Sequence, residues 1–253
     1  MRIHPLALLA SPVLLTLPSC YQLEVAAQAG YAQVAVNGDF GYLQNSSSTA
    51  IQQDVGSAFG LGSSRGAPYA RVALDTGVPV LSVSGFQFDD SGTGTLQANF
   101  GTITGNVPVT SELSFANVKG AYAFQIPIGP VTISPGLAVD WFDIDLSVRS
   151  VLLATTESVS LTGPLPLAFL RTELELGPVN ALAEVGYLGA TIDGVDASLL
   201  DLEAQLQVRP TSWADLFIGY RYLALNAQGV ISNDAYDVDL TVSGFMLGGG
   251  FRF

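Results

Sequence analysis

Apolar and polar residues alternate one by one along much of the chain after the first thirty positions. In the segment 200–209, leucine, alanine or valine occupies every even position, and a charged or amide residue occupies every odd position. The same period of two is present over 141–148 and 169–176. Because successive side chains of a β-strand point to opposite faces, this pattern predicts strands with one apolar and one polar face.

The alternation predicts ten strands in up-and-down order. Their predicted spans are 31–43, 66–75, 79–92, 109–126, 131–148, 164–176, 180–193, 196–209, 214–227 and 236–253. Tight turns containing glycine or proline lie at 76–79, 127–130, 177–180 and 210–213. Long polar linkers lie between them at 44–65, 93–108 and 149–163. Short turns at one rim and long loops at the other are typical of outer-membrane β-barrels.

In three strands the alternation changes phase, at Gly85, Gly120 and Gly244, and a β-bulge is predicted at each glycine.

The overall composition favours a membrane protein that crosses with strands. The chain is 49% hydrophobic and only 12% charged, with a mean hydropathy of +0.41. A transmembrane helix needs about 20 consecutive apolar residues. No such run follows the first 20 positions, and the stretch 214–224 is interrupted by Asp215 and Arg221. The predicted fold is therefore an all-β, transmembrane, up-and-down antiparallel β-barrel of about ten strands, over residues 30–253.

The first 29 residues have the features of a signal peptide. Arg2 supplies the positive charge, and residues 5–17 form an apolar segment of the expected length. The sequence Ala27-Gln28-Ala29 is a cleavage site that would make Gly30 the first mature residue. A second possibility is the lipobox-like sequence 17–20, which would place cleavage and lipidation at Cys20. Both alternatives predict an exported chain, with the outer membrane of a Gram-negative bacterium as its location.

The last strand carries a pattern of its own. Phe245, Leu247, Phe251 and Phe253 share one parity, and Phe253 is the last residue. This pattern resembles the C-terminal signal by which the barrel-assembly machinery recognises outer-membrane barrels. The alternative is a final core strand that happens to end in phenylalanine.

Several short segments resemble a known family. They are 31–39, 70–74, 141–143, 219–222 and the Phe-Arg-Phe ending at 251–253. Together they resemble a family of uncharacterised proteobacterial outer-membrane β-barrel proteins. The resemblance implies a signal peptide and an outer-membrane barrel, and it supplies no catalytic residues. The lipobox-like sequence and the near-absence of lysine depart from that family.

Charge and residue usage exclude several functions. The formal net charge is −13, and without a basic stripe no nucleic acid is expected as a partner. The only histidine is His4 and the only cysteine is Cys20, so neither a metal site nor a cofactor is predicted. Barrel hydrolases and proteases of similar architecture use a histidine. Carboxylate pairs such as Glu173 and Glu175 arise in any polar lumen, so no enzyme activity is predicted.

Strand parity predicts a lumen with nearly balanced charge. The predicted lumen acids are Asp143, Asp145, Glu173, Glu175, Glu184, Asp201 and Glu203. The predicted lumen bases are Arg71, Lys119, Arg171, Arg209, Arg221 and Arg252. Charges in a narrow interior must be paired, so an ion-pair network is expected to close most of the barrel.

Two functional classes follow from this lumen. The first is a structural or surface-interacting barrel that contacts outer-membrane lipid and lipopolysaccharide. The alternative is a small, cation-leaning channel or transporter for minor solutes, because the remaining acids concentrate at the predicted exterior rim.

Overall fold

The chain forms one closed antiparallel sheet. The computed structural model describes residues 23–45, 49–192, 194–231 and 233–253. The elements are β1 (Glu24–Leu43), β2 (Gln53–Asp54), α1 (Val55–Phe59), β3 (Arg65–Asp75), β4 (Pro79–Thr95), β5 (Pro108–Phe124), β6 (Ile126–Ile128), β7 (Val131–Ser150), β8 (Thr155–Leu176), β9 (Val179–Ile192), β10 (Val195–Val208), β11 (Ala214–Ile231) and β12 (Asp234–Arg252). Strand β12 pairs with β1 and closes the ring. No helix in these described ranges is long and apolar enough to span a membrane.

Ten long strands make up the wall of the barrel, and the two short strands extend it. Strand β6 continues the line of β5 along β7, on the far side of Gln125. Strand β2 pairs with β1 beyond the end of the β1–β3 ladder. The predicted ten-stranded, up-and-down barrel is therefore confirmed, since each long strand pairs with its neighbours in the chain.

Some strands are longer than predicted. Strand β1 begins at Glu24, seven residues before the predicted start at 31, and residues 1–22 of the predicted signal peptide lie outside the described residues. The segment 149–163, predicted as a long loop, is mostly strand, and only residues 151–154 separate β7 from β8. Both strands of this β7–β8 hairpin therefore continue beyond the apolar part of the wall towards the loop end of the barrel.

The polarity of the two faces inverts along several strands, including β4, β5, β7, β8 and β12. Near the short turns, β7 points Leu137, Val139 and Trp141 outward and Asp140 inward. Further along, the same strand points Phe142, Ile144, Leu146 and Val148 inward and its acids outward. Near the turns the wall therefore meets lipid with an apolar face, whereas towards the loops it encloses an apolar core and presents a polar face to water.

This inversion explains the phase changes in the sequence. The pairing registers run without interruption through Gly85, Gly120 and Gly244, so the predicted β-bulges are absent from these strands. The inward parity stays constant, and the chemical character of each face changes instead. A sequence pattern records only polarity, so a change of surroundings along a strand looks like a shift of phase.

The loop end of the barrel is filled by apolar side chains. Helix α1 and the segment 96–107 fold inward, and Phe100 lies fully buried against the rings of Phe40, Tyr42 and Phe59 at centroid distances of 6.0, 5.6 and 5.2 Å. Backbone contacts fix the segment, since Gly101 N donates to the Tyr42 carbonyl at 3.0 Å. We call this cluster of α1 and residues 96–107 the apolar plug.

Candidate functional site

A layer of buried charges lies between the apolar plug and the short turns. Its cations are Arg71 on β3, Lys119 on β5, Arg171 on β8 and Arg221 on β11. Its main carboxylates are Glu173 on β8, Glu184 on β9, and Asp201 and Glu203 on β10. Each lies at an inward position of a strand whose outward neighbours face lipid, so alternation alone directs these side chains inside. We call these eight residues the ionic layer.

The contacts of the ionic layer cross the interior. Lys119 Nζ lies 3.0 Å from Glu184 Oε2 and 3.2 Å from Asp201 Oδ2. Arg221 Nη2 lies 2.8 Å from Asp201 Oδ2, and Arg221 also pairs with Glu203. Arg71 joins Glu203 at 3.0 Å and also pairs with Glu184. Every cation thus meets at least one carboxylate, which offsets the large cost of burying its charge.

Neutral side chains complete the hydrogen bonding of this layer. The Tyr69 hydroxyl donates to Glu203 Oε1 at 2.7 Å, and Gln205 Nε2 donates to the same oxygen at 2.8 Å. Arg221 Nη2 donates to Asn117 Oδ1 at 3.1 Å, and Asn117 Nδ2 contacts Asp140 Oδ1 at 3.4 Å. Such bonds lower the cost of burying charged groups because they replace water.

The boundary with the apolar core also stabilises the cations. Lys119 Nζ lies 5.7 Å from the centre of the Phe169 ring, and the Arg221 guanidinium lies 5.7 Å from that of Phe86. Aromatic faces attract cations at this distance. The phenylalanines that begin the apolar core therefore also contact the ionic layer.

A second group of polar residues lies near the chain ends. Arg252 pairs with Glu24 and lies 3.5 Å from Asp215, to which Gln28 Nε2 donates at 3.2 Å.

In the described part of the chain, no group of three or more histidine, cysteine, aspartate or glutamate side chains is placed to hold a metal ion.

The structure separates the predicted lumen residues into three groups. Nine lie in the interior, namely Arg71, Lys119, Arg171, Glu173, Glu184, Asp201, Glu203, Arg221 and Arg252. Glu175 and Arg209 lie at the turn rim, 3.9 Å apart, with the Glu175 side chain 62% exposed.

The third group corrects the sequence prediction. Asp143 and Asp145 are exposed on the outer face, where Thr162 donates to Asp143 at 2.7 Å. The prediction assumed that apolar residues face outward along all of β7, and this holds only between the short turn and Trp141. From Phe142 to the loop end of the strand, the apolar side chains form the core and the acids face water.

The sequence pattern did not identify several polar residues that are buried in the structure. Asp215 shares the odd parity of Arg221 on β11, so the same alternation could have placed it inside. Asp140 is fully buried, but it precedes Trp141 in a strand whose acids were assigned to the other parity. Tyr69 and Asn117 carry no charge, and nothing in the local pattern marked them as members of a charged cluster.

Solved structures of several known proteins are similar to this chain. The outer membrane protease OmpT from Escherichia coli matches with a TM-score of 0.52 and 8% identity, over 91% of this chain and 96% of that chain. The attachment invasion locus protein Ail of Yersinia pestis matches at 0.40 and 15% identity, over 92% and 99%. The translocator domain of the autotransporter NalP from Neisseria meningitidis matches at 0.40 and 12%, over 93% and 90%. No family model matches the chain, and no curated protein matches it in sequence.

The closed ring, the apolar outer face and the likeness to OmpT define an outer-membrane β-barrel protein. The predicted fold class and its location in the Gram-negative outer membrane are thereby confirmed. At 8% identity the likeness to the protease extends to the fold alone. The four residues of the predicted assembly signal, Phe245, Leu247, Phe251 and Phe253, lie exposed on the outward face of β12 and its end.

Proposed function

We propose that this protein is a structural or surface-interacting barrel whose interior is closed to solutes. The observation that carries the proposal is the contact between Arg71 on β3 and Glu184 on β9. In the ring of ten long strands, β3 and β9 stand five places apart, so this ion pair spans the barrel from one side to the other.

Two different barriers support closure. A solute passing the ionic layer would have to separate buried charges that lie at 2.8–3.2 Å, which is costly. Closer to the loops, the apolar plug fills the same interior with buried aromatic rings. An open path would require both barriers to move.

The outer surface is where we expect the protein to act. Its apolar wall contacts outer-membrane lipid, and its polar upper face stands among lipopolysaccharide and solvent. We propose that the outward aromatic residues at the end of β12 serve recognition by the barrel-assembly machinery. We propose no enzyme activity, because the chain beyond His4 contains no histidine that could act as a general acid or base.

Planar-bilayer recording of the refolded protein tests the closed interior. We expect no steady conductance from the wild type, and none from an Asp143→Asn control that changes only an outer-face charge. Arg221→Ala and Arg171→Ala should lower thermal stability without opening a steady path, because the apolar plug remains. Steady wild-type conductance that changes with Arg221→Ala would instead establish the cation-leaning channel.

A further inference from the structure

Strand β8 has an exposed edge at the loop end of the barrel. On one side it pairs with β7 along almost its whole length, from Thr155 to Leu174. On the other side it pairs with β9 only from Ala168 onward. Among the described residues, no backbone partner occupies that side from Thr155 to Leu167. We call the segment Thr155–Thr162 the free edge.

Two prolines explain where the pairing with β9 stops. Pro164 and Pro166 have no N–H to donate, and proline in a sheet is tolerated where the donor side faces away from a neighbouring strand. Their positions assign the backbone groups of even-numbered residues to the side away from β7. Beyond them, the free edge contains neither proline nor lysine, which natural edge strands commonly use for protection.

An acidic groove borders this edge on the outer face of the barrel. It has a volume of about 560 Å³ and runs across β4, β5, β7 and β8. Its lining includes the acids Asp89, Glu112 and Asp145, with Ser158 and Ser160 at the margin beside the free edge. Arg65 also lines it and is paired with Asp90 at 2.7 Å.

We propose that the free edge binds an extended, basic polypeptide segment as an additional antiparallel strand. The partner's backbone would pair with the even-numbered residues of the edge. Its lysine or arginine side chains would extend across Ser160 and Thr162 towards Asp145 and Asp143, which lie directly opposite them on β7. The small hydroxyl side chains leave room for this reach. The inference rests on the proposed surface-interacting role and specifies its partner.

A second copy of the chain in the same membrane does not fit this edge. Neighbouring barrels stand the same way up, so a two-fold axis along the membrane normal brings their β8 strands together running in the same direction. A symmetric antiparallel pair would need one barrel inverted. The partner is therefore a separate polypeptide at the cell surface.

Fluorescence anisotropy with the full mature barrel in nanodiscs tests the proposal. The probe is a labelled eight-residue peptide of alternating lysine and threonine. We expect saturable binding that weakens about tenfold in Ser160→Pro, which removes one donor from the edge without touching the β7 ladder. Ser160→Ala, the matched control, should bind as the wild type does. Asp145→Asn should weaken binding by roughly threefold and reduce its salt dependence.

Other outcomes would overturn the edge proposal. Equal affinity for Ser160→Pro and Ser160→Ala would show that the edge is not used. Equal binding of a glutamate-threonine peptide would exclude charge recognition. Magnesium-dependent binding of lipopolysaccharide vesicles that is lost in Asp145→Asn, with no peptide binding, would assign the groove to lipid. None of these results alters the conductance measurement, so failure here is distinct from failure of the closed-barrel proposal.

An independent observation concerns the start of the mature chain. Residues 24–29 pair on both sides, with 70–75 of β3 and, from Ala26, with 249–252 of β12. Val25 and Phe253 exchange two backbone hydrogen bonds, at 3.1 and 3.0 Å. Inward side chains of the same segment contact the interior, since Glu24 pairs with Arg252 and Gln28 with Asp215.

We infer that export processing occurs before Glu24 and that the mature chain keeps residues 24–29. A chain that began at Gly30 would leave β3 and β12 facing each other across a gap at the seam of the barrel. Unpaired backbone groups in a membrane are costly because no water is present there to replace their partners. Of the two junctions that the sequence offers, the one before Cys20 keeps this segment and the one after Ala29 removes it.

Intact mass spectrometry of protein purified from outer membranes tests this inference. A mass that includes residues 24–29 supports it, and a mass that begins at Gly30 overturns it. As a second measurement, chains beginning at Glu24 and at Gly30 are refolded in detergent and compared on unheated gels. We expect a compact, heat-modifiable band from the first and little or none from the second. Equal folding of the two chains would also overturn the inference.

Discussion

Replacing Arg221 with methionine should destabilise the barrel strongly. Arg221 is 3% exposed, contacts Asp201 and Glu203, and donates to Asn117. Methionine has a similar length but no charge, so the two carboxylates would lose a cation while remaining buried. Breaking a buried pair in this way costs about 3–5 kcal/mol.

Urea unfolding of the barrel in lipid vesicles provides the measurement. Trp141 and Trp213 are 49% and 56% exposed on the outer surface, so their fluorescence should report loss of the lipid-embedded fold. Arg149→Met makes the same chemical change on the exposed face of β7 and should alter the free energy of unfolding by about 0.5 kcal/mol or less.

A double variant distinguishes charge from packing. Adding Glu203→Gln to Arg221→Met removes the negative charge left in excess, while Arg71 keeps Glu184 as its partner, so part of the lost stability should return. If Arg221→Met and Arg149→Met changed the free energy of unfolding equally, the reasoning about the ionic layer would be refuted. The same holds if the double variant were less stable than Arg221→Met.

Three further predictions concern the part of the barrel near the loops. Phe100→Ala should lower the free energy of unfolding by about 3–5 kcal/mol, measured in the same urea titration, because it empties the centre of the apolar plug. Gly92→Val should prevent stable folding, since a Cβ there would lie 1.8 Å from the Gly60 carbonyl oxygen, whereas Gly120→Val has open space and should fold normally on unheated gels. Asp54→Ala should cost about 1 kcal/mol or less, because the exposed Asp54 carboxylate caps α1. The pKa of Asp54 is lowered, chiefly by the hydrogen bond from the Ser57 N–H, so its contribution is present at neutral pH and should be lost on acidification through the folded-state pKa.

The sequence by itself determined the architecture of the barrel. Strict alternation in 200–209 and tight turns such as 76–79 depend on local geometry, which is the same in any surroundings. Because each strand is followed by a turn that returns the chain beside it, ten strands in sequence order were enough to predict the ring. Parity on β10 likewise placed Asp201 and Glu203 on the same face.

Only the tertiary structure decided which face of each strand points inward and where its character changes. Alternation defines the two faces of a strand but does not show which of them points into the barrel. On β7, the polarity of both faces reverses between Trp141 and Phe142. That reversal depends on how far the wall extends beyond the lipid. It also depends on the apolar side chains that the apolar plug places in the interior. The pairing of Arg71 with Glu184 across the ring likewise depends on closure, because these residues are distant in sequence and meet only when β12 returns to β1.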